Sequence, residues 1–216
     1  MPTFANRGSF CAGPADTMME LAMIRILSTA FALCLLAAAP ALAHEGGGAG
    51  GGLVSGFLHP ILGWDHVAAM VAVGLWGAFL GQPAIWQLPV VFPLVMVFGG
   101  ILGIAGVPVP QVETGIAASA LILGVLIALA AKPPLWMAWI VVGLFAIFHG
   151  HAHGTELPEA TSAVTYSIGF VVGTGLMHLV GIGFGLLARW PEGRIAVRAG
   201  GGVIALAGLG FLTGTL

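Results

Sequence analysis

Residues 135–153 read LWMAWIVVGLFAIFHGHAH, an apolar segment that ends in three histidines and is long enough to cross a lipid bilayer. A transmembrane helix needs about 20 predominantly apolar residues. Of the 216 residues in the chain, 59% are apolar and only 6% are charged, and the mean hydropathy is +1.08. This composition excludes a soluble globular protein and predicts an all-α membrane protein, whose 35 glycines allow close helix packing.

Six apolar segments are expected to form a transmembrane bundle within residues 53–216, near 53–80, 85–106, 112–131, 135–153, 161–188 and 195–215. The first and fifth segments are long enough to tilt or break. Lys132, Arg189, Arg194 and Arg198 fall on one side of such a bundle, and the positive-inside rule assigns that side to the cytoplasm. We therefore expect a multi-pass protein of the bacterial inner membrane with both mature termini outside.

The N-terminal region has the pattern of a signal peptide. Arg25 precedes an apolar run over 26–38, and the small-residue pattern Ala41-Leu42-Ala43 predicts cleavage after Ala43. An uncleaved first helix is the alternative, and the acidic residues before Met23 suggest that translation starts downstream of Met1. Residues 1–43 are thus interpreted as a signal peptide, and the glycine-rich residues 44–52 as an extracytoplasmic tether.

Two groups of ionisable residues interrupt the apolar segments. The first segment contains His59, Asp65 and His66, and the fourth ends in a group that contains His149, His153 and Glu156. Each ionisable group at membrane depth costs about 2.5 to 3.5 kcal/mol on insertion scales, so such groups indicate a function. Helical spacing places His59 and His66 close to one face, and it does the same for His149, His153 and Glu156, so the two groups could meet in the outer half of the membrane.

A straight first helix would place His59 about 9 Å and His66 about 20 Å below its outer end, at a rise of 1.5 Å per residue. On that helix Asp65 would point about 100° away from His66. Pro60 and Gly63 lie between the ligands, however, and local unwinding there would bring the carboxylate round.

Two further histidines are weaker candidates for metal binding. His151 projects almost opposite His149 on an ideal helix. His44 would carry the free amino terminus after cleavage, and an amino group beside an imidazole is a competent chelator.

The donor set favours a divalent transition metal. Imidazole suits nickel, cobalt, copper and zinc, whereas Cu(I) prefers sulfur ligands. Both cysteines, Cys11 and Cys34, precede the expected cleavage site, so the mature chain would contain no thiolate. Asp65 and Glu156 supply two negative charges, which would neutralise one divalent ion.

At these residues the chain resembles the HupE/UreJ family of bacterial nickel/cobalt permeases. That family carries the motif His-Pro-x-x-Gly-x-Asp-His in its first membrane segment and Phe-His-Gly-x-Ala-His-Gly-x-Glu in a later one. Both motifs are present here, at residues 59–66 and 148–156. The resemblance covers nearly the whole chain and implies Ni2+ or Co2+ as the transported ion, with no bound cofactor, moved inward to supply hydrogenase, urease or cobalamin synthesis. His151 stands at a variable position of the motif, so the resemblance gives it no role in metal binding. The residues that it implies in metal handling are His59, Asp65, His66, His149, His153 and Glu156.

Other interpretations remain beside the permease. An intramembrane metalloenzyme would use three histidines and a carboxylate to activate water, and a haem-binding electron carrier would use paired histidines as axial ligands. The sequence has no Walker-type nucleotide-binding loop to run a pump, which favours a secondary transporter, and no basic nucleic-acid patch. It also shows no additional nucleophile or oxyanion group, which argues against an enzyme. A lone His178 in the fifth segment is expected to hydrogen-bond a neighbouring helix.

Overall fold

A computed structural model describes residues 49–157 and 162–216, and this part of the chain is all-helical, as the sequence predicts. The expected signal peptide, its expected cleavage site and His44 lie outside the described residues. The described helices are α1 (Ala49–Leu62), α2 (Trp64–Leu80), α3 (Ala84–Ile104), α4 (Val112–Ala128), α5 (Leu135–Thr155), α6 (Ala163–Gly185) and α7 (Pro191–Thr213). A 3-10 turn over Leu186–Arg189 joins α6 to α7.

Four of the described helices are long and apolar enough to cross a membrane, namely α3, α5, α6 with its 3-10 extension, and α7. Helices α1 and α2 would together make a fifth span, but they are bent by 80° at a break between Leu62 and Trp64. Helix α4 is apolar and shorter, at 17 residues. All six predicted segments are therefore helical, and α7 begins at Pro191, four residues before the predicted start, because proline suits the first helical position.

The tether and the first segment differ from the sequence-based expectation. Helix α1 begins at Ala49, so it includes the last part of the glycine-rich run. The first segment is not one straight helix, because Gly63 adopts an extended conformation with φ −86° and ψ 111°. A new helix starts there, as the amide of Val67 donates to the carbonyl of Gly63 at 2.9 Å.

Glycines on α5 explain why the second motif alternates histidine with glycine. A Cβ atom on Gly150 would collide with the backbone of Met96, and one on Gly154 would collide with the backbone of Gly100. These two glycines lie four residues apart and bring α5 against α3. The histidines that precede each of them, His149 and His153, consequently lie on a neighbouring face of α5 and point into the bundle.

Apolar side chains cover the outside of the bundle. Large apolar residues are exposed on every described helix from α3 to α7, among them Leu94, Ile140, Leu179 and Leu206. Exposed apolar surface of this extent on several adjacent helices is expected for helices that face lipid. The observation supports a multi-pass membrane protein.

Basic residues gather at one end of the bundle. The guanidinium of Arg198 donates to the carbonyl of Ala128 at the end of α4, at 2.8 Å. The ammonium of Lys132 lies 5.2 Å from the ring centre of Phe79 at the end of α2. Glu156 follows the opposite end of α5 from Lys132, so this acidic residue lies at the other end of the bundle.

Candidate functional site

The break at Gly63 brings the first group of ionisable residues against the second. The ring centres of His59 and His66 are 6.4 Å apart. On a straight helix their seven-residue separation would be about 10.5 Å along the axis. The expected depths of His59 and His66 on a straight helix are therefore wrong, since the 80° bend shortens their separation.

Four imidazoles form a continuous file between α1, α2 and α5. The ring centre of His153 lies 4.8 Å from that of His59 and 4.6 Å from that of His66. The ring centre of His66 in turn lies 5.0 Å from that of His149. We call these four residues the imidazole file.

Glu156 stands at the exposed end of the imidazole file. Its Oε2 lies 3.5 Å from Nε2 of His59, and the two side chains are 54% and 34% exposed. Hydrogen bonding with His59 holds the pKa of the Glu156 carboxyl below its usual value. His59, His153 and Glu156 each offer a ligand atom, and these three atoms lie within 4.8 Å of one another. They could hold a metal ion after small side-chain movements.

Asp65 orients His66. Its Oδ1 lies 2.7 Å from Nδ1 of His66 and also accepts the backbone amide of the same residue at 2.8 Å. An ionised carboxylate only accepts hydrogen bonds, so this contact places the proton of the imidazole on Nδ1. The lone pair of Nε2 is then available to a metal ion, as in carboxylate–histidine–metal arrangements. Both residues lie in the first turn of α2, and their side chains turn toward each other beside Gly63, so the expectation that the carboxylate points away from His66 is not met.

A backbone carbonyl orients the imidazole of His149 as Asp65 orients that of His66. Its Nδ1 lies 3.0 Å from the carbonyl oxygen of Phe145, one turn earlier in α5. A carbonyl oxygen is an acceptor, so Nδ1 donates and the lone pair lies on Nε2. His149 is completely buried, in contrast to the exposed Glu156 at the other end of the imidazole file.

Several buried nitrogen atoms of the imidazole file have no hydrogen-bond partner within the described part of the chain. They are Nε2 of His66, Nε2 of His149 and both ring nitrogens of His153. Leaving buried polar atoms unpaired costs about 1 to 3 kcal/mol each. Such atoms are expected at a site that an ion occupies, and neutral imidazole nitrogens are ligands for Ni2+ and Co2+.

The structure does not place His151 in the imidazole file. Its Nε2 lies 2.8 Å from the carbonyl oxygen of Val107, in the connection between α3 and α4. His151 therefore ties α5 to that connection.

Aromatic residues that the sequence did not single out surround the imidazole file. The Phe170 ring centre lies 4.2 Å from that of His153, and the Tyr166 ring centre lies 6.0 Å from that of His59. Both residues, with His153, line a cavity of about 130 Å³ between α3, α5 and α6. Tyr166 is the only tyrosine of the chain, and its buried hydroxyl has no partner among the described residues. The sequence feature that could have indicated its role is that this single tyrosine lies within an otherwise apolar segment.

Comparison with known proteins agrees with the motifs. The family model described as HupE / UreJ protein matches residues 32–211. Protein HupE of Rhizobium leguminosarum bv. viciae is 44% identical over 191 residues, which cover 88% of this chain and 98% of that protein. No solved structure matches the chain. On these grounds the chain belongs to the HupE/UreJ family, which is associated with nickel and cobalt transport.

Proposed function

We propose that the protein is a secondary transporter that carries Ni2+ or Co2+ across the bacterial inner membrane and into the cell, where the ion supplies an enzyme such as hydrogenase or urease. The observation that carries the proposal is the imidazole file, which leads from the exposed Glu156 to the fully buried His149 in ring-to-ring steps of about 5 Å. Repeated weak sites allow an ion to enter and still to leave.

The charges of the site fit a divalent ion. Asp65 and Glu156 carry two negative charges, and the imidazoles are neutral when they bind metal. An occupied site is then electrically neutral, which avoids a buried net charge in a medium of low dielectric constant. We therefore assign metal handling to six residues, namely His59, Asp65, His66, His149, His153 and Glu156. Among them, Asp65 acts indirectly, by orienting His66.

The distribution of charge supports inward transport with mature termini outside. Lys132 and Arg198 lie at one end of the bundle, and Glu156 lies at the other. The positive-inside rule assigns the basic end to the cytoplasm. The entrance at Glu156 then faces outward, and six crossings result when the broken α1–α2 pair and α4 are each counted as one span.

The haem alternative conflicts with the spacing of the rings. A haem with two histidine ligands places the porphyrin between the two imidazoles. Neighbouring rings of the imidazole file are already in contact, with centres 4.6 to 5.0 Å apart. No porphyrin fits between them, which argues against this electron carrier. We propose a transporter without enzymatic activity.

Uptake of Ni2+ into liposomes tests the proposed function. The purified protein is reconstituted into liposomes that enclose a fluorophore quenched by Ni2+. The parent protein is compared with His66→Ala, and His151→Ala is the matched control. We expect saturable uptake by the parent, a loss of about tenfold or more for His66→Ala, and a rate within about twofold of the parent for His151→Ala.

Two outcomes would contradict the proposal. Uptake by parent liposomes that does not exceed that of protein-free liposomes would exclude transport of this ion. Full activity of a correctly inserted His66→Ala protein would exclude the imidazole file as the route.

A further inference from the structure

His178 is a buried histidine beyond the end of the imidazole file. It lies on α6 and is 1% exposed. The sequence predicts that it hydrogen-bonds a neighbouring helix, but neither ring nitrogen has a hydrogen-bond partner within the described residues. The carbonyl of Pro89 on α3 faces the imidazole, so His178 does contact a neighbouring helix, as the sequence predicts, but without the short, well-aligned geometry of a regular hydrogen bond.

Phe92 connects His178 with the imidazole file. Its ring centre lies 5.3 Å from that of His149 and 5.5 Å from that of His178, and its side chain is fully buried. The phenyl ring of α3 thus contacts the last member of the imidazole file on α5 and His178 on α6. Tyr166, at the entrance, lies twelve residues before His178 on α6, which corresponds to about 18 Å along the helix axis.

Two oxygen atoms that could bind a metal ion lie near His178. Thr174 lies one turn before it on the same face of α6, is fully buried, and has a hydroxyl oxygen without a partner among the described residues. A buried helical threonine ordinarily bonds a carbonyl of the preceding turn. The carbonyl of Pro89 is also free of a helical donor, because Pro93, four residues later, has no backbone N–H.

We propose that His178, with Thr174 and the carbonyl of Pro89, forms a second station for the transported ion on the inner side of Phe92. This inference rests on the proposed function and extends its route. All three donors are uncharged, whereas the imidazole file is accompanied by Asp65 and Glu156. A neutral donor set holds a divalent ion more weakly than one with two carboxylates, so the second station suits release and the imidazole file suits capture.

The two stations can be separated by comparing binding with transport. In His178→Ala, calorimetric titration with Ni2+ should give a dissociation constant for the imidazole file within about twofold of the parent value, while the uptake rate in liposomes falls about tenfold or more. Ser119→Ala is the matched control, because it removes a buried hydroxyl that already donates within its own helix. Its uptake should equal that of the parent.

A spectroscopic variant tests contact with the ion directly. His178→Cys is made in a chain whose Cys11 and Cys34 are replaced by serine, and the purified protein is titrated with Co2+. A thiolate that binds Co2+ produces a sulfur-to-metal charge-transfer band, and we expect this band in His178→Cys but not in the serine-substituted parent.

The possible results decide between this inference and the proposed function. If the parent transports Ni2+ and His178→Ala transports it equally well, or if His178→Cys binds Co2+ without the charge-transfer band, the second station is refuted alone. If the parent neither binds nor transports the metal, the proposed function itself fails.

Discussion

Replacement of Asp65 by asparagine should weaken metal binding while leaving the fold intact. The carboxylate contacts His66 twice, at the imidazole and at the backbone amide. Asparagine keeps an acceptor oxygen for both groups and loses only the favourable interaction of a negative charge with the first turn of α2. The free energy of unfolding should therefore fall by about 1 kcal/mol or less.

The loss of charge determines the effect on affinity. Removing a group that orients a metal-binding histidine typically costs 10- to 100-fold in metal affinity, about 1.4 to 2.7 kcal/mol. Because Asp65→Asn retains the hydrogen bond to Nδ1 of His66, we expect about tenfold weaker Ni2+ binding. Asp65→Ala removes the hydrogen bond as well and should approach a loss of about 100-fold.

Calorimetric titration of the purified protein with Ni2+ measures this effect, and thermal unfolding measures the stability of the same samples. Glu192→Gln is the matched control, because Glu192 is also an acidic residue in the first turn of a helix but is exposed at the start of α7. Its Ni2+ affinity should equal that of the parent. An Asp65→Asn protein that binds Ni2+ as tightly as the parent would refute the orienting role of this carboxylate.

Three further variants test other parts of the structure. Gly150→Ala should destabilise the protein by about 1 to 3 kcal/mol, because the added methyl group meets the backbone of Met96, whereas Gly143→Ala on the same helix meets only ordinary contacts and should unfold at or above the parent temperature. His151→Gln should keep Ni2+ affinity within about twofold of the parent in calorimetry, and a loss like that of His66→Ala would place His151 in the ion path. His44→Ala should lower Ni2+ uptake in cells only at low metal concentration, as expected for a tethered chelator that raises the local concentration, and an unchanged uptake curve would show His44 to be a remnant of cleavage.

Much of the architecture could be predicted from the sequence because lipid restricts the available solutions. A chain with so few charges satisfies its backbone in a bilayer only as helices or a closed barrel, and runs of about 20 apolar residues favour helices. Because charged residues are so few, the histidines within the apolar segments were easy to identify as candidates, namely His59, His66, His149 and His153. Their spacing indicated which of them share a face, and the structure brings these four rings together.

The bend and the partners of individual atoms could not be predicted in the same way. Pro60 and Gly63 indicated that the first segment can break, but the 80° angle depends on how α1 and α2 pack against α6. Similarly, helical spacing alone gave no orienting contact between Asp65 and His66, because successive helical residues ordinarily point about 100° apart, whereas here both side chains turn into the space that Gly63 leaves open. The position of His178 beside Phe92 depends on the packing of three helices, which no local pattern records.

Anomalous diffraction from crystals soaked in Ni2+ tests most directly whether the imidazole file is the route of the ion. We predict an anomalous peak near Nε2 of His66, at metal–nitrogen distances of about 2.0 to 2.2 Å, with His153 or His149 as a further ligand. The peak should disappear in crystals of His66→Ala. A peak only at exposed carboxylates such as Glu192, with none among these rings, would contradict the account.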